Sequence, residues 1–376
     1  MLERRLLSNV PWGMVALIIG IAGFGLTAVY SATYTPTGPS SLFTKQVIWV
    51  SLGIIVMFAA LVPDYHTVGR YAYILYAASV LFLILVALVG KTGMGAQRWL
   101  PIGPFAFQPS ELAKLSLVLA LARYFAEDPR RGGYGLRDLA VPAGMILVPL
   151  VLVMKQPDLG TALMLLFTSS LVILLAGIRL RSLVALAMIG AVVATAVFAV
   201  PPVRTKIWKS LKPYQQKRIK AFLDPSSDPR GSGYHATQAK IAVGSGQTTG
   251  KGFRKGTQSQ MAFLPERHTD FIFAVIAEER GFLGASFLIV LYVILLLVGV
   301  EAAKSAKDKL GVLMAGGIVS MLSLYMLINV GMAVGILPVV GVPLPLVSYG
   351  GTSILTTFLA IGLLLNIRSR RFMLFY

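Results

Sequence analysis

An all-α polytopic membrane protein with about ten transmembrane helices is the fold class that this sequence predicts, and three observations carry it. Hydrophobic residues make up 56% of the 376 and charged residues only 13%, with a mean hydropathy of +0.77, far too apolar for a soluble domain. Apolar runs of the length that crosses a bilayer core of about 30 Å recur along the chain. The basic residues of the short connections fall on alternate ones, as they do when one side of a membrane retains Lys and Arg. The formal charge of +19 is accounted for by that retention and by one basic loop, so nucleic acid is not an expected partner. Cysteine is absent, which excludes disulfides, thiolate metal sites and a cysteine nucleophile.

Taken in order, the apolar runs place spans near 12–32, 46–62, 71–90, 110–126, 139–154, 160–178, 182–200, 271–300, 310–337 and 351–367. The first is longer than a signal-peptide core and is followed by further spans, so it reads as a retained helix. The fourth opens after Pro109, a favourable first-turn residue. The eighth contains the uninterrupted run from Gly281 to Val300, about twenty residues, which at about 1.5 Å each crosses unaided. One set of connections holds fifteen basic residues: Arg4, Arg5, Arg70, Arg123, Arg130, Arg131, Arg137, Arg179, Arg181, Lys304, Lys307, Lys309, Arg368, Arg370 and Arg371. The opposite short loops hold only Lys45, Lys91, Arg98 and Lys155. That asymmetry puts both termini on the cytoplasmic side, in agreement with an even number of spans.

The segment 201–269 then lies outside, between spans seven and eight. It carries thirteen Lys and Arg against Asp224, Asp228 and Glu266. Part of it, VRTKIWKSLKPYQQKRIKAFLDP, alternates basic residues with Ile207, Trp208, Leu211, Tyr214, Ile219 and Phe222. Such a stretch lies in a membrane interface with its charges towards anionic head groups, so membrane lipids are an expected partner, either by simple adhesion or by capture of an anionic lipid substrate. Gly331 and Gly335 form a G-x-x-x-G pair that permits close helix contact. The following PVVGVPLPLVSYGG has three prolines and no charge, and reads as rigid, non-helical backbone lining a cavity. No internal repeat or soluble accessory domain is evident, so 1–376 reads as one membrane domain.

Ionisable residues in or beside spans are the informative ones, because unpaired charge in lipid is costly. In the stretch Phe263 to Gly284, Thr269 and Asp270 look like a helix N-terminus, with Glu278 and Glu279 two turns on and Asp270 further out. Glu111 and Lys114, three apart, share a helix face and can pair. Asp158, in KQPDLG, precedes the sixth span, and Arg98, in GAQRW, precedes Glu111; all fall on the same side as Asp270. GSGQTTGKG resembles a phosphate loop only superficially, since its spacing is one residue too long and Lys251 precedes Gly252 in place of Ser or Thr. His66, His235 and His268 show no metal-ligand spacing.

Together GAQRW with FQPSELAK, QPDLGTA, SDPRGSGYH, GKGFRKGTQSQMAFLPERHTDFIFAVIAEERGFLG and GVPLPLVSYGGTS resemble the SEDS family of bacterial cell-wall polymerases across nearly the whole chain. Arg267 in LPERHTD and the form GVPLPLVSYGG are similar to its elongation-type members more than to its division-type ones. The resemblance implies a multi-pass protein of the bacterial cytoplasmic membrane. Its activity would be that of a peptidoglycan glycosyltransferase, taking lipid II and a growing glycan strand on the outer face. It singles out Asp270, and by the same matching Glu111, Lys114 and Asp158 line the central cavity. It also implies a class B penicillin-binding protein as crosslinking partner, alongside other membrane proteins of the elongation complex.

In the expected chemistry Asp270 is the general base that deprotonates the acceptor 4-hydroxyl, a role worth about 10² to 10⁴ in rate, with inversion to a β-1,4 product. Arg98, Lys114, Lys251 and Arg254 are candidate cations for the departing diphosphate. A helix N-terminus would lower the pKa of Asp270 unless burial or nearby charge opposes that; Glu266, beside Arg267 and His268 in the same motif, and the bound diphosphate are the two sources of such opposition. A divalent cation such as Mg2+ or Mn2+ is compatible with the chemistry, though no sequence pattern specifies one. A lipid II flippase and a noncatalytic scaffold of the wall-synthesis complex are the rival classes. Chemistry concentrated on one face, without the internal repeat of many transporters, favours the enzyme.

Overall fold

Long runs of Leu, Ile, Val and Ala become helices in a membrane because only there does the backbone satisfy its own hydrogen bonds. The computed structural model describes the chain except for residues 1–8, 36–37, 94–95, 103–104, 129, 131, 200, 212, 225–227, 229–230, 262 and 372–376. Its helices are α1 (Trp12–Thr33), α2 (Ser41–Ala59), α3 (Tyr65–Arg70), α4 (Ala72–Val89), α5 (Pro109–Glu127), α6 (Ala140–Lys155), α7 (Leu159–Ala176), α8 (Leu180–Ala199), α9 (Pro201–Ser210), α10 (Pro213–Leu223), α11 (Ser232–Ser245), α12 (Thr257–Gln260), α13 (Ile272–Lys304), α14 (Lys309–Val334) and α15 (Gly351–Ser369). The ten expected spans are α1, α2, α4 to α8 and α13 to α15. Eight of the described helices are long and apolar enough to cross a membrane. Helix α5 misses that measure because it carries Glu111, Lys114, Arg123 and Glu127. It is wrapped by α4, α7 and α14, and from Ala113 to Ala122 every residue is buried.

The bundle has two chemically distinct ends. At one, the Tyr134 and Ile178 backbones bridge, Arg370 pairs with Asp64 (3.2 Å) and Arg368 with Glu301 (3.1 Å), and His66 is held between Asp64 and Asp308. The connections grouped by their arginines in the sequence therefore do share an end. At the other end stand α9 to α12, the 335–350 loop and a small antiparallel sheet, β1 (Lys91–Gly93), β2 (Ala96–Ile102) and β3 (Phe105–Phe107), in the order β1-β2-β3. The sheet is an addition to the all-α expectation. Its registers, Thr92 opposite Gln97 and Leu100 opposite Phe107, set Arg98 in the central strand.

Three local expectations change. Helix α13 is two segments merged across a break at Gly281 (φ 64°, ψ −166°), so the stretch before Gly281 does not extend the spanning axis outwards. Its N-cap is Phe271, with no side-chain cap bond; Thr269 Oγ1 donates instead to the Glu266 carbonyl and carboxylate, both at 3.1 Å. The G-x-x-x-G pair ends a helix, and its Gly335 admits the Lys240 stem of α11, a close helix contact at that end. Gly335, at φ +78°, is the left-handed C-cap of α14, and Ile336 and Leu337 N–H donate back to Gly331 O at 2.8 and 3.0 Å, the closing bonds of a C-terminal turn.

The GSGQTTGKG stretch owes its glycines to backbone contact. Phe282 and Leu283 N–H donate to Gln247 and Thr248 carbonyls, and Lys251 and Gly252 N–H donate to Glu278 and Glu279 carbonyls, at 2.8 to 3.1 Å. A Cβ at Gly246 would stand 1.9 Å from Ala277 O, and one at Gly250 2.2 Å from Glu279 O. The loop thus plugs the break in α13.

Candidate active site

Asp270 sits in the turn before α13 and is fixed by its backbone. Asn329 Nδ2 donates to the Asp270 carbonyl (2.9 Å) and to the Val342 carbonyl (2.8 Å). Ser348 Oγ donates to Thr269 O (2.6 Å), Tyr349 N–H to His268 O (2.8 Å), and Gln46 Nε2 to Ser348 O (3.0 Å). The charge-free 335–350 loop is therefore the wall against which the Asp270 turn is cast. Its Val347 lies against Gly25 of α1, where a Cβ would come within 2.6 Å of Val347 Cα, eight residues or roughly 12 Å below the end of that helix. Asn329, five residues before the end of α14, places Asp270 roughly 8 Å below that helix end. Gly341, at φ +74°, presents its Cα side to the acid, a Cβ there standing 3.2 Å from Asp270 Oδ2.

This recess raises the Asp270 pKa to about 6. Burial is the main cause, the charges of Glu266 and Asp158 add to it, and Arg218 and Arg98 oppose it. No side chain caps α13, so the helix-terminus effect anticipated from sequence is outweighed. A carboxyl poised near neutrality is what general-base work requires. Burial also holds His268 below the usual histidine range, which keeps it neutral; its ring lies 5.6 Å from that of Tyr349.

Asp158 caps α7, accepting from Thr161 N–H (3.2 Å) and Oγ1 (2.9 Å). Arg98 Nε stands 3.8 Å from its carboxylate and donates to the Gln156 carbonyl at 3.3 Å. The start of α7 meets the same loop, since a Cβ on Gly160 would lie 2.4 Å from Val340 O. Deeper in the bundle, Lys114 Nζ bonds Glu111 (2.7 Å) and lies 4.5 Å over the Tyr325 ring, whose hydroxyl donates to the other Glu111 oxygen (2.7 Å). Each charge there has a partner, as burial demands.

The remaining sequence candidates fasten the loop. Lys251 bonds Glu278 (2.7 Å) and Thr257 Oγ1 (2.7 Å); the fully buried Glu278 also accepts from Gln258 and Ser259 N–H at 2.9 and 3.2 Å. Arg254 lies 3.3 Å over the Tyr34 ring. Arg267 donates to Ala32 O (2.7 Å) and to Ser259 O, and Glu279 accepts from Ser31 Oγ (2.5 Å). The structure thus gathers Asp270, Glu266, Asp158 and Arg98, and adds Arg218, which sequence reasoning left among thirteen loop cations. Among the described residues no three His, Asp or Glu side chains stand together as a metal seat.

Comparison with known proteins agrees with this architecture. The family model for FtsW, RodA and SpoVE, described as "Cell cycle protein", matches residues 11–372. The Escherichia coli (strain K12) protein named peptidoglycan glycosyltransferase MrdB is 39% identical, covering 96% of this chain and 94% of its own. The Treponema pallidum protein named peptidoglycan glycosyltransferase RodA is 30% identical, covering 98% and 99%. Among solved structures, a chain from work on structural coordination of polymerization and crosslinking by a peptidoglycan synthase complex superposes with a TM-score of 0.80 at 35% identity, covering 96% and 98%. The Thermus thermophilus rod shape determining protein RodA gives 0.69 at 31%, covering 97% and 98%. Matched over almost its whole length, the chain belongs to the FtsW/RodA/SpoVE family, the SEDS family, on its RodA-like side.

Proposed function

We propose that this protein polymerises lipid II into β-1,4 glycan strands, with Asp270 as general base. The observation that carries the assignment is the recessed Asp270 carboxyl, raised to about 6 by burial and by Glu266. The names of the relatives supply the reaction class. The acceptor 4-hydroxyl oxygen attacks the anomeric carbon of the donor and gives its proton to Asp270. The carbon–oxygen bond to the diphosphate breaks, and its electron pair leaves with the prenyl diphosphate. Inversion at carbon follows from attack opposite the leaving group.

The site faces the extracytoplasmic side in this reading, because the arginine-rich connections gather at the opposite end and the positive-inside rule holds those in the cytoplasm. The reading includes a crosslinking partner. A class B penicillin-binding protein fits, given that one structural neighbour comes from a complex coordinating polymerization with crosslinking. Purified protein mixed with lipid II tests the assignment: wild type makes strands, and Asp270→Asn, nearly isosteric, loses at least about 10² in rate. Near-normal polymerisation by the folded Asn variant would sink the role of Asp270.

A further inference from the structure

The arginine-rich end of the bundle carries a cleft remote from Asp270. It opens where the 3₁₀ turn Leu136–Leu139 before α6 meets the α7–α8 connection. Its room is about 430 Å³, and it is lined among others by Leu136, Arg137, Asp138, Arg179, Arg181 and Ser182. That volume falls in the range of about 300–1,000 Å³ usual for small-ligand sites. The two walls are knitted through the backbone: Tyr134 N–H donates to Gly177 O (2.9 Å) and Arg179 N–H to Tyr134 O (3.0 Å). Asp138, the one acid of the lining, is already engaged, accepting from Gly135 N–H (2.8 Å) and pairing with Arg130. Arg179 is oriented by the Gly132 and Gly133 carbonyls, which accept from its Nε at 3.3 and 3.1 Å. Arg137 and Arg181 pair with no acid among the described residues. Retention on one side of a membrane explains why arginines gather at this end, but not why these two stay unpaired. Arg123 meets Glu127 (2.7 Å), Arg368 meets Glu301 (3.1 Å) and Arg370 meets Asp64 (3.2 Å) at the same end. Ser182 is a second, independent sign. It lines the cleft at 7% exposure, and its hydroxyl has no hydrogen-bond partner among the described residues, a state that buried polar groups rarely keep without a ligand or water. Apolar side chains stand beside the charges: Leu136 is 42% exposed and Leu180, between Arg179 and Arg181, is 73% exposed.

We propose that this cleft binds the head group of an anionic phospholipid from the surrounding leaflet. Arg137, Arg179 and Arg181 take the phosphodiester oxygens, and Ser182 donates its hydroxyl to the same group. The acyl chains run along Leu136, Leu180 and the exposed Leu183 and Val184 of α8. Guanidinium forks match phosphate oxygens in geometry as well as charge, and a basic pocket between spans at one membrane face suits a phospholipid head group. The apolar flank selects a lipid over a soluble anion, since head group and chains are satisfied together. In the orientation proposed above, the lipid belongs to the cytoplasmic leaflet.

Purified full-length protein in detergent, titrated with phosphatidylglycerol or phosphatidylcholine and read by native mass spectrometry as lipid retained per chain, tests the site. Wild type should retain phosphatidylglycerol in preference to phosphatidylcholine. Arg137→Gln and Arg181→Gln should each weaken phosphatidylglycerol binding about fivefold, and the two together about thirtyfold. The double variant Arg137→Lys with Arg181→Lys should keep most of the binding, which separates lost charge from lost folding. Arg70→Gln, at an exposed arginine of the same end outside the cleft, should change nothing. A loss there equal to that of the cleft variants means diffuse attraction by the whole basic face and overturns the site. Unchanged binding in the double Gln variant, or equal retention of phosphatidylcholine, overturns it as well. Displacement of the lipid by an equal concentration of inorganic phosphate would make the cleft a seat for a free anion and overturns the lipid assignment.

Discussion

Replacing Asp270 by Asn should stabilise the protein while it abolishes turnover. The Asp270 carboxyl is raised from 3.8 to about 6 in the fold, so the folded state favours the protonated form. The sign follows by linkage: that stability is fully present below pH 3.8 and is lost as pH rises through about 6. A shift of about two pKa units corresponds to at most about 3 kcal/mol. Asp270 is partly exposed, so solvent screening reduces this to about 1–2 kcal/mol. Asn keeps the shape and carries no charge, and recovers that amount at pH 8, an increase of roughly 1–3 °C in apparent Tm. Thermal unfolding in detergent, followed by the fluorescence of the four tryptophans, measures it. The gap between variant and wild type should be present at pH 8 and close towards pH 4. A variant that melts at or below wild type at pH 8, or a gap equal at both pH values, refutes the placement of a strained carboxylate at this position.

Two further outcomes follow from the same geometry. Wild-type kcat/KM should fall on an acidic limb near pH 6, to roughly a tenth of its plateau one unit below, and Glu266→Gln, by removing the second-largest cause of the raised pKa, should move that limb to lower pH; a limb that stays in place denies the coupling. Gly250→Ala should cost about 2 kcal/mol or more, because its Cβ would fall 2.2 Å from Glu279 O at a φ of +83°, whereas Gly244→Ala, with open space around it, should be neutral within about 0.5 kcal/mol; equal melting points for the two variants would contradict the plug at the α13 break.

The ten long helices were legible because lipid enforces an apolar run for each, and the arginine asymmetry sorted their connections into the two ends that the structure contains. Asp270, Glu111, Lys114 and Asp158 stood out for the same reason: charge beside a span needs a purpose. What escaped was set by backbone contact between distant segments. Gly281 opens an apolar run directly after Glu278, Glu279 and Arg280, where a break and a helix simply entering the membrane read alike, and the break is visible only once Gly246 and Gly250 are seen against Ala277 and Glu279. The sheet from Lys91 to Phe107 escaped because its strands are short and poor in alternation. Lys251 and Arg254 could not be told from Arg218 by composition, since all three are loop cations and only packing shows that the first two meet Glu278 and Tyr34 while Arg218 meets the Val340 carbonyl.

The break at Gly281 also explains why three acids in one short stretch have different roles. Residues 272–280 join two anchored points, Asn329, five residues inside α14, and Ser31, two residues inside α1. The segment therefore runs across the end of the bundle and does not project from it. Every side chain from Ile272 to Glu279 is buried as a result, and a buried carboxylate must be partnered. Glu278 meets that demand with Lys251 and two loop amides, and Glu279 with Ser31. Asp270, at the far end of the segment, has its carbonyl bound by Asn329 while its carboxyl is left with Glu266 and Asp158 as opposing charges and Arg218 and Arg98 as weaker support. A continuous helix would have carried that carboxyl into water, where a pKa near 3.8 makes a poor proton acceptor. The kink returns it below the helix ends, so a glycine eleven residues away is a condition for the raised pKa of Asp270.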